Sequence, residues 1–454
     1  MYDVIVVGAG AAGLTVALGA AQLGKKTLLI EKHKVGGDCT HYGCMPSKTL
    51  IKTAKVAHEQ RQASKYGLPN NNPTIRWKNI QEIIHQTISG IYEHEQELLQ
   101  EAGVELLKAH AQFIDERTLQ AKDKTYQAKK IYLATGSKPR TITIPGEEHI
   151  EIHTNETIFS IKELPKNLAV LGAGPIGCEL GQAFARLGVQ VHLITNQELL
   201  PREDSDAREE LRKQLLADGI RIHENTSIQN INEQHTITLT NNQTIIADAL
   251  LQSIGREPNT NELGLEHTNV TLDKHGRIQT NKHLKATKGI YALGDCTSKH
   301  QFSHVSEEHG RVCLANLASP IPIKSYNEKN TPWTTYTDPE IAHIGLYEEE
   351  INERYETFKV AFSENDRAKT EHDTKGFVKI HAKPLSGKIL GATIVGTNAG
   401  DLLATISLAI HNKVNVRQLS NTIQAYPTRA QLLRHTADYY YRDYVSGILR
   451  RLGL

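Results

Sequence analysis

Cys39 and Cys44 lie five positions apart in the run Gly36-Gly37-Asp38-Cys39-Thr40-His41-Tyr42-Gly43-Cys44-Met45-Pro46-Ser47-Lys48. Two sulfurs at this spacing could cycle between dithiol and disulfide. A disulfide needs Cα atoms about 4.4 to 6.8 Å apart, whereas five extended residues span roughly 17 Å, so the segment must coil. One irregular helical turn, loosened by Gly43, would bring the sulfurs into range. Pro46 suits a first helical turn, where its missing N–H costs nothing. A thiol at that helix start, with Lys48 nearby, would have a lowered pKa and be a competent nucleophile. The alternative is two buried apolar cysteines that never meet, and five cysteines in 454 residues leave room for it.

The elements that must position this pair stand on either side of it. Upstream, the strand Val4 to Val7 runs into Gly8-Ala9-Gly10-Ala11-Ala12-Gly13 and an apolar helix ending near Gly24; the next strand, Lys26 to Ile30, ends in Glu31. Glycines at Gly8, Gly10 and Gly13 let backbone approach a pyrophosphate and let helix pack on strand, the helix N-terminus offers free N–H groups to the anion, and Glu31 is placed to accept from ribose hydroxyls. Downstream, the strand Leu168 to Leu171 runs into Gly172-Ala173-Gly174-Pro175-Ile176-Gly177, a second dinucleotide fingerprint. Its next strand, Val189 to Ile194, ends in Thr195-Asn196 rather than an acid. The missing carboxylate removes the usual 2′-hydroxyl partner of NAD and repulsion against a 2′-phosphate. Arg202 follows closely, so NADPH is favoured over NADH; Arg202 could equally be a surface residue of the run Arg202-Glu203-Asp204. Two fingerprints beside a cysteine pair suggest a relay from NAD(P)H to FAD to disulfide to substrate.

Composition narrows the class. Lys plus Arg number 52 against 51 Asp plus Glu, for a net charge of +1, with no polybasic run, so nucleic acid is not an expected partner. No apolar run approaches the roughly eighteen residues of a membrane span, and the chain enters a strand at Tyr2, so neither membrane insertion nor a leader is expected. A disulfide in so large a chain with so few cysteines would be transient and catalytic, which points to the cytoplasm. The 22 histidines are scattered without metal-ligand spacing and read mostly as surface residues, so no metal site is assigned. Cys178, Cys296 and Cys313 are isolated; Cys178 and Cys296 read as buried apolar fillers.

The ordered motifs resemble the class I pyridine nucleotide-disulfide oxidoreductases across nearly the whole chain. The family includes dihydrolipoamide dehydrogenase, glutathione reductase and mercuric reductase. The resemblance is carried by Gly37-x-Cys39-x4-Cys44-x-Pro46-Ser47-Lys48, Ala134-Thr135-Gly136-Ser137, Gly177-x-Glu179, Gly255-Arg256-x-Pro258-Asn259-Thr260, Ile290-Tyr291-Ala292-Leu293-Gly294-Asp295, Thr337-x-Pro339-Glu340 and Gly345-Leu346. Pro201-Arg202-Glu203-Asp204 and the wording around Cys39 look most like mercuric reductase-like members. The resemblance implies an α/β fold of two Rossmann-like dinucleotide-binding domains, for FAD and NAD(P), plus a C-terminal α+β dimerisation domain, in a homodimer. It implies that Cys44 is the flavin-proximal thiol and Cys39 the interchange thiol. Lys48 would lie near flavin N5 and pair with Glu179, Ile176 would sit beside the nicotinamide, and Asp295 would bind the ribityl or pyrophosphate region of FAD. Thr135, Gly136, Gly255 and Gly294 would belong to the cofactor cradle.

The sequence departs from the family in two places. Where dihydrolipoamide dehydrogenase and glutathione reductase carry His-Pro-x-x-x-Glu, this chain has Tyr426-Pro427-Thr428-Arg429-Ala430-Gln431. A phenol with a reference pKa of about 10 is a poor base near neutrality, though Tyr426 could donate a hydrogen bond or help hold a metal ion beside the partner's Cys39. His435 is not expected to substitute. Mercuric reductases usually end in vicinal cysteines, whereas this chain ends Arg450-Arg451-Leu452-Gly453-Leu454 and carries no N-terminal Cys-x-x-Cys domain, which argues against dedicated mercury detoxification.

The expected organisation is an FAD segment over 1–148, largely helical from 50 to 110, an NAD(P) domain over 149–263, a returning FAD segment over 264–332 and an interface domain over 333–454. The interface domain should carry strands at Phe377 to His381 and Ile389 to Val395, and helices at Gly400 to Asn412 and Thr428 to Val445. The expected function is an FAD-dependent NAD(P)H oxidoreductase acting through Cys39 and Cys44 on a disulfide, thiol-derived or soft-metal substrate. The alternatives are flavin-only reduction of quinone or oxygen, or a non-enzymatic redox-sensing dimer.

Overall fold

The computed structural model describes residues 1–446, so the last eight residues of the expected interface domain lie outside it. The chain opens with β1 (Tyr2–Val7), α1 (Ala11–Gln22) and β2 (Thr27–Glu31). Val4 to Val7 are buried, as suits a parallel strand covered on both faces. Next come α2 (Gly37–His41), α3 (Cys44–Arg61), α4 (Trp77–Glu101), β3 (Glu105–Lys108), β4 (Ala111–Phe113), β5 (Thr118–Ala121) and β6 (Lys124–Leu133). The reading of 50–110 as helical is corrected at its end. Gly103, at φ +69°, turns the chain out of α4, and β3 then pairs parallel with β2, Leu28 opposite Glu105.

The middle of the chain comprises β7 (Ser137–Pro139), β8 (Glu151–His153), β9 (Asn167–Leu171), α5 (Pro175–Arg186), β10 (Gln190–Ile194), α6 (Ser205–Ala217), β11 (Arg221–His223), β12 (Ile228–Ile231), β13 (Thr236–Leu239), β14 (Thr244–Ile246), β15 (Ala249–Gln252) and β16 (Arg256–Pro258). The chain then returns through β17 (Lys285–Thr287), β18 (Ile290–Ala292) and α7 (Ser303–Leu317). The first sheet runs β17-β18-β6-β1-β2-β3, so it needs strands from both ends of the first 300 residues. The second, β11-β10-β9-β15-β8, is parallel throughout, and the antiparallel pair β7–β16 lies where the chain crosses between the two. In each sheet the glycine fingerprint follows a central strand, β1 or β9, at its C-terminal end, the place where open α/β sheets bind ligands.

The last unit holds β19 (Trp333–Thr335), β20 (Glu340–Gly345), β21 (Glu356–Ala361), α8 (Asp366–Thr370), β22 (Phe377–Ala382), β23 (Ile389–Gly396), α9 (Ala399–His411), α10 (Val416–Ser420) and α11 (Gln431–Tyr439), followed by a wider helical turn over Tyr440–Val445. Its sheet runs β19-β20-β23-β22-β21, all antiparallel. Alternate residues Val378, Ile380, Ala392 and Ile394 pack with Leu403, Ile406, Leu432 and Leu433 of α9 and α11. The other face carries Lys379, His381, Thr393 and His343, and residues 203–206 of the middle unit lie on it.

Candidate active site

The cysteine segment folds as two helices rather than one loosened turn. The backbone N–H groups of Tyr42 and Gly43 both donate to the carbonyl of Asp38, at 2.8 and 2.7 Å, and close α2. Gly43, at φ −109° and ψ −103°, redirects the chain into α3, and a Cβ there would press within 3.1 Å of the Asp38 carboxylate. Cys44 is therefore the first residue of an 18-residue helix, where free N–H groups and the helix dipole favour a thiolate. The two thiols meet. The hydrogen bond from Cys39 brings the Cys44 thiol down to about 6 against the opposing effect of burial, with help from Ser303 and the Lys48 charge. Cys39, donating to its neighbour and half-buried, is pushed up. The single thiolate of the reduced pair thus belongs on Cys44, whose Sγ lies 3.4 Å from Ser303 Oγ at the start of α7.

One turn along α3, Lys48 Nζ donates to Glu179 Oε2 at 2.7 Å. Glu179, on α5, is only 6% exposed, so it is not a surface acid of that helix. Burial alone would lower the Lys48 pKa, but the charge and the hydrogen bond of Glu179, together with the Cys44 charge, raise it. Ile176 lies one turn before Glu179 on the same helix.

Several of the fingerprint glycines sit where no side chain fits. A Cβ on Gly8 would lie 2.3 Å from the Ala134 carbonyl oxygen, and one on Gly13 would lie 1.8 Å from that of Gly8. Gly37 backs onto the first loop, its would-be Cβ 2.9 Å from Gly10 Cα. The second fingerprint repeats the pattern: Gly172 would strike Ser253 O at 2.4 Å and Gly177 would strike Gly172 O at 1.9 Å, while Gly174 faces open space. Glu31 ends β2 as expected, its carboxylate accepting from the N–H groups of Ala9 and His33 at 2.7 and 2.6 Å. Thr135 Oγ1 donates to Asn259 O at 2.7 Å, and Gly136 O accepts from Asn259 N at 3.0 Å. Gly255 and Gly294 both adopt positive φ.

Asp295 follows β18 in a short turn, and burial pushes its carboxyl up. Its Oδ2 accepts from Ser137 Oγ at 2.6 Å; Arg256 Nε donates to the same hydroxyl at 2.8 Å, and Arg256 Nη2 pairs with Asp38 Oδ2 at 3.1 Å. Asn155 completes the chain by donating to Asp38 Oδ1 and Tyr42 O at 3.3 and 3.2 Å. The residue next to Cys39 is thereby tied to Asp295 across three chain segments. Ser303 and Asn155 were not singled out by sequence, and Ser137 and Asp38 stood in its motifs without a role, because the partners that define them lie far away in the chain.

A cavity of about 3460 Å³ runs past both glycine loops, and Gly8, Gly10, Glu31, Cys39, Cys44, Lys48, Asp295, Gly172, Gly174, Ile176 and Glu179 all line it. Asn196, Arg202 and Arg208 line its nucleotide-domain end, Arg208 paired with Glu198 and Arg202 exposed. Tyr426 is not brought into this cavity. It is 70% exposed on the last unit, its hydroxyl donating to Asp366 Oδ2 at 3.4 Å. Cys178, Cys296 and Cys313 are buried, as the filler reading requires for the first two. His41, His192, His309, His343 and His381 are buried too, contrary to a surface role for those five. Among the described residues no group of three or more His, Cys, Asp or Glu is arranged to hold a metal ion, and no helix is long and apolar enough to cross a membrane.

Comparison with known proteins places this geometry in context. Residues 2–310 match the family described as pyridine nucleotide-disulphide oxidoreductase, and residues 331–437 match the dimerisation domain of the same description. The chain is 31% identical to a dihydrolipoyl dehydrogenase of Mycoplasma genitalium, over 98% of this chain and 100% of that protein. It is 30% identical to a mercuric reductase of Staphylococcus aureus, over 97% of this chain and 83% of that one. The solved structure of LpdA from Mycobacterium tuberculosis superposes with a TM-score of 0.89 at 26% identity, covering 96% of this chain and 99% of that one.

Proposed function

The chain belongs to the pyridine nucleotide-disulphide oxidoreductases, and from that premise we propose that Cys39 and Cys44 are the redox pair through which it delivers electrons to a small disulfide. It is an enzyme using FAD and NAD(P)H, with a C-terminal domain of the dimerising kind. One observation supports the assignment of the pair: both glycine loops and both thiols open on the same cavity.

The cradle fits FAD, because its walls at Gly8 and Gly37 leave no room for a Cβ and bring bare backbone to the cavity, with Gly13 packed behind Gly8. The first glycine loop, Glu31, Thr135, Gly136, Gly294 and Asp295 would hold FAD. Gly172, Gly174, Ile176, Gly177 and Gly255 would hold the nicotinamide nucleotide. Bound FAD supplies two-electron chemistry between a hydride donor and a disulfide. The net reductive change is that NAD(P)H and one proton convert the Cys39–Cys44 disulfide to the dithiol and leave NAD(P)⁺. In the oxidative half, Cys39 passes its proton to the Cys44 thiolate, attacks one substrate sulfur and releases the first thiolate, which then takes that proton from Cys44. The Cys44 thiolate then attacks Cys39 Sγ, reforming the disulfide and releasing the second. Lys48, locked to Glu179, supplies the positive charge beside Cys44.

Tyr426 favours a second reading of the substrate. A phenol is a poor proton acceptor near neutrality, whereas a soft metal ion needs thiolates and no proton shuttle. We place Tyr426 at the partner's Cys39 as a hydrogen-bond donor, the dimer in the cytoplasm, and the domain limits at 1–148, 149–263, 264–332 and 333–454. We also propose NADPH as the donor, on the acid-free end of β10 and the arginines beside it.

An anaerobic titration with NADPH and, separately, NADH tests the relay. A long-wavelength thiolate-to-flavin band at two electrons is the expected result, and bleaching of the flavin without that band would remove the cysteines from the circuit. Cys39→Ser should abolish disulfide or metal turnover while FAD stays bound. Arg202→Gln should lower the NADPH-to-NADH ratio of kcat/KM by roughly tenfold, the weight of one charged contact; an unchanged ratio would remove Arg202 from nucleotide choice.

A further inference from the structure

Residues 336–338, between β19 and β20, form a strap across two helices from distant parts of the chain. On α5, Glu179, Gln182 and Arg186 follow one another at i, i+3 and i+7 and share a face. Each grips the strap. Tyr336 N donates to Glu179 Oε1 at 2.8 Å, Asp338 N donates to Gln182 Oε1 at 2.8 Å, and Gln182 Nε2 donates to Asp338 O at 2.8 Å. Arg186 Nη1 pairs with Asp338 Oδ2 at 2.7 Å. From α3, Lys48 holds the other Glu179 oxygen at 2.7 Å, and Lys55 lies 3.7 Å from Asp338 Oδ1. The Tyr336 ring lies over the Lys48 ammonium, Nζ 4.5 Å from its centroid.

Lys48 is thus bounded by a carboxylate on one side and an aromatic face on the other. Without the ring, a flexible four-carbon stem would be held at its charged end by the ion pair to Glu179. The ring does not owe its place to burial: Tyr336 is 40% exposed and lines the cavity that holds Cys39 and Cys44. Glu179 in turn would keep one oxygen unsatisfied in a buried site if the Tyr336 N–H were withdrawn.

We propose that Tyr336 is a positioning residue for the Lys48–Glu179 pair, its N–H fixing the carboxylate and its ring face fixing the ammonium so that the Lys48 charge stays directed at the Cys44 sulfur. This rests on the redox role proposed for Cys44 and adds the residue that keeps its counter-charge in place. The ring contribution is separable by substitution, since Y336F keeps the face and Y336L removes it.

The test is the Cys44 thiolate titration. It is read as the long-wavelength band of the two-electron-reduced holoenzyme and independently as ultraviolet thiolate absorbance of the protein stripped of flavin. Cys39, Ser303, Lys48 and Asp38 are the groups that face Cys44 and shape this titration. Y336F should titrate like the wild type. Y336L should titrate roughly half a unit to one unit higher, the size of a lost cation–π contact, and should lower kcat with KM for NAD(P)H unchanged. In a K48M background the Y336L shift should vanish. An unshifted midpoint in Y336L, an equal shift in Y336F, or a shift that persists in K48M would each overturn the proposal. If Y336L does not fold, Y336M read against Y336F makes the same comparison. A wild type with no flavin band would instead defeat the redox assignment, while the ultraviolet titration would still report on Tyr336.

Discussion

At the scale of single residues, the two cysteines differ because their neighbours differ. Cys44 opens α3, accepts from Cys39 and has Lys48 one turn along; Cys39 donates, and Ser303 faces both sulfurs. The negative charge of the reduced pair is therefore favoured on Cys44. The thiolate band of the reduced enzyme should fade as pH falls through about 6, since protonation of Cys44 removes the donor of that band. An absorbance titration checks it, and a midpoint near the ordinary thiol value would mean that the hydrogen bond from Cys39 is not made in solution. Ser303→Ala should raise the midpoint by up to about one unit, the value of a hydrogen bond to a charged sulfur. The lowered thiol was legible from Cys44, the helix start and Lys48. That Ser303 would share the charge was not, since Ser303 lies 259 residues away.

At the scale of elements, the glycine fingerprints do most of the placing. Each sits at a strand-to-helix turn where neighbouring carbonyls occupy the space a Cβ would need, so the sequence pattern and the backbone geometry are the same fact seen twice. Gly177→Ala forces a Cβ to within 1.9 Å of the Gly172 carbonyl oxygen. With overpacking worth about 1–3 kcal/mol, nicotinamide-dependent reduction should slow by roughly tenfold while FAD remains bound. Stopped-flow reduction by NAD(P)H against reduction by dithionite separates the two effects, and equal slowing by both reductants would place the damage elsewhere. Gly13→Ala, with its clash at 1.8 Å in the first loop, should instead lower the flavin content of the purified protein. β3 escaped the sequence reading because a four-residue strand behind a long helix has no periodicity of its own; it exists because β2 offers it an edge.

At the scale of the whole molecule, the units are joined by polar contacts that are buried yet paired. Asp204 and Asp206 both hold Lys379 at 2.8 Å, Thr393 donates to Asp204 at 2.7 Å, and Glu203 accepts from Trp333 Nε1 and the Tyr347 hydroxyl at 2.9 and 2.8 Å. Leu200, held at φ +43° and hydrogen-bonded to Ala173 O, links this joint to the second glycine loop. Breaking a buried pair by removing one partner costs about 3–5 kcal/mol, so Lys379→Met should lower the thermal midpoint clearly and weaken NAD(P)H binding together with it. Calorimetry with a nucleotide titration checks both, and a stable variant with normal binding would show that the joint does not hold the loop. In the sequence Arg202 reads as a 2′-phosphate contact or as a surface residue of the run Arg202-Glu203-Asp204. In the fold only Arg202 is exposed, because the last sheet turns a polar face inward to meet the two acids.

The amino-acid sequence alone determined what depends on neighbours a few positions apart: two glycine turns after apolar strands, a cysteine pair at a helix start, and a lysine one turn later. These are local geometries, and residue type at fixed spacing is sufficient to specify them. Tertiary structure decided that Ser303 meets the Cys44 sulfur, that Glu179 is buried against Lys48, that Tyr336 closes over both, and that Arg256 and Ser137 tie Asp38 to Asp295. Those contacts join residues more than a hundred positions apart. Burial and Coulomb energy depend on distance through space, which a linear pattern does not encode.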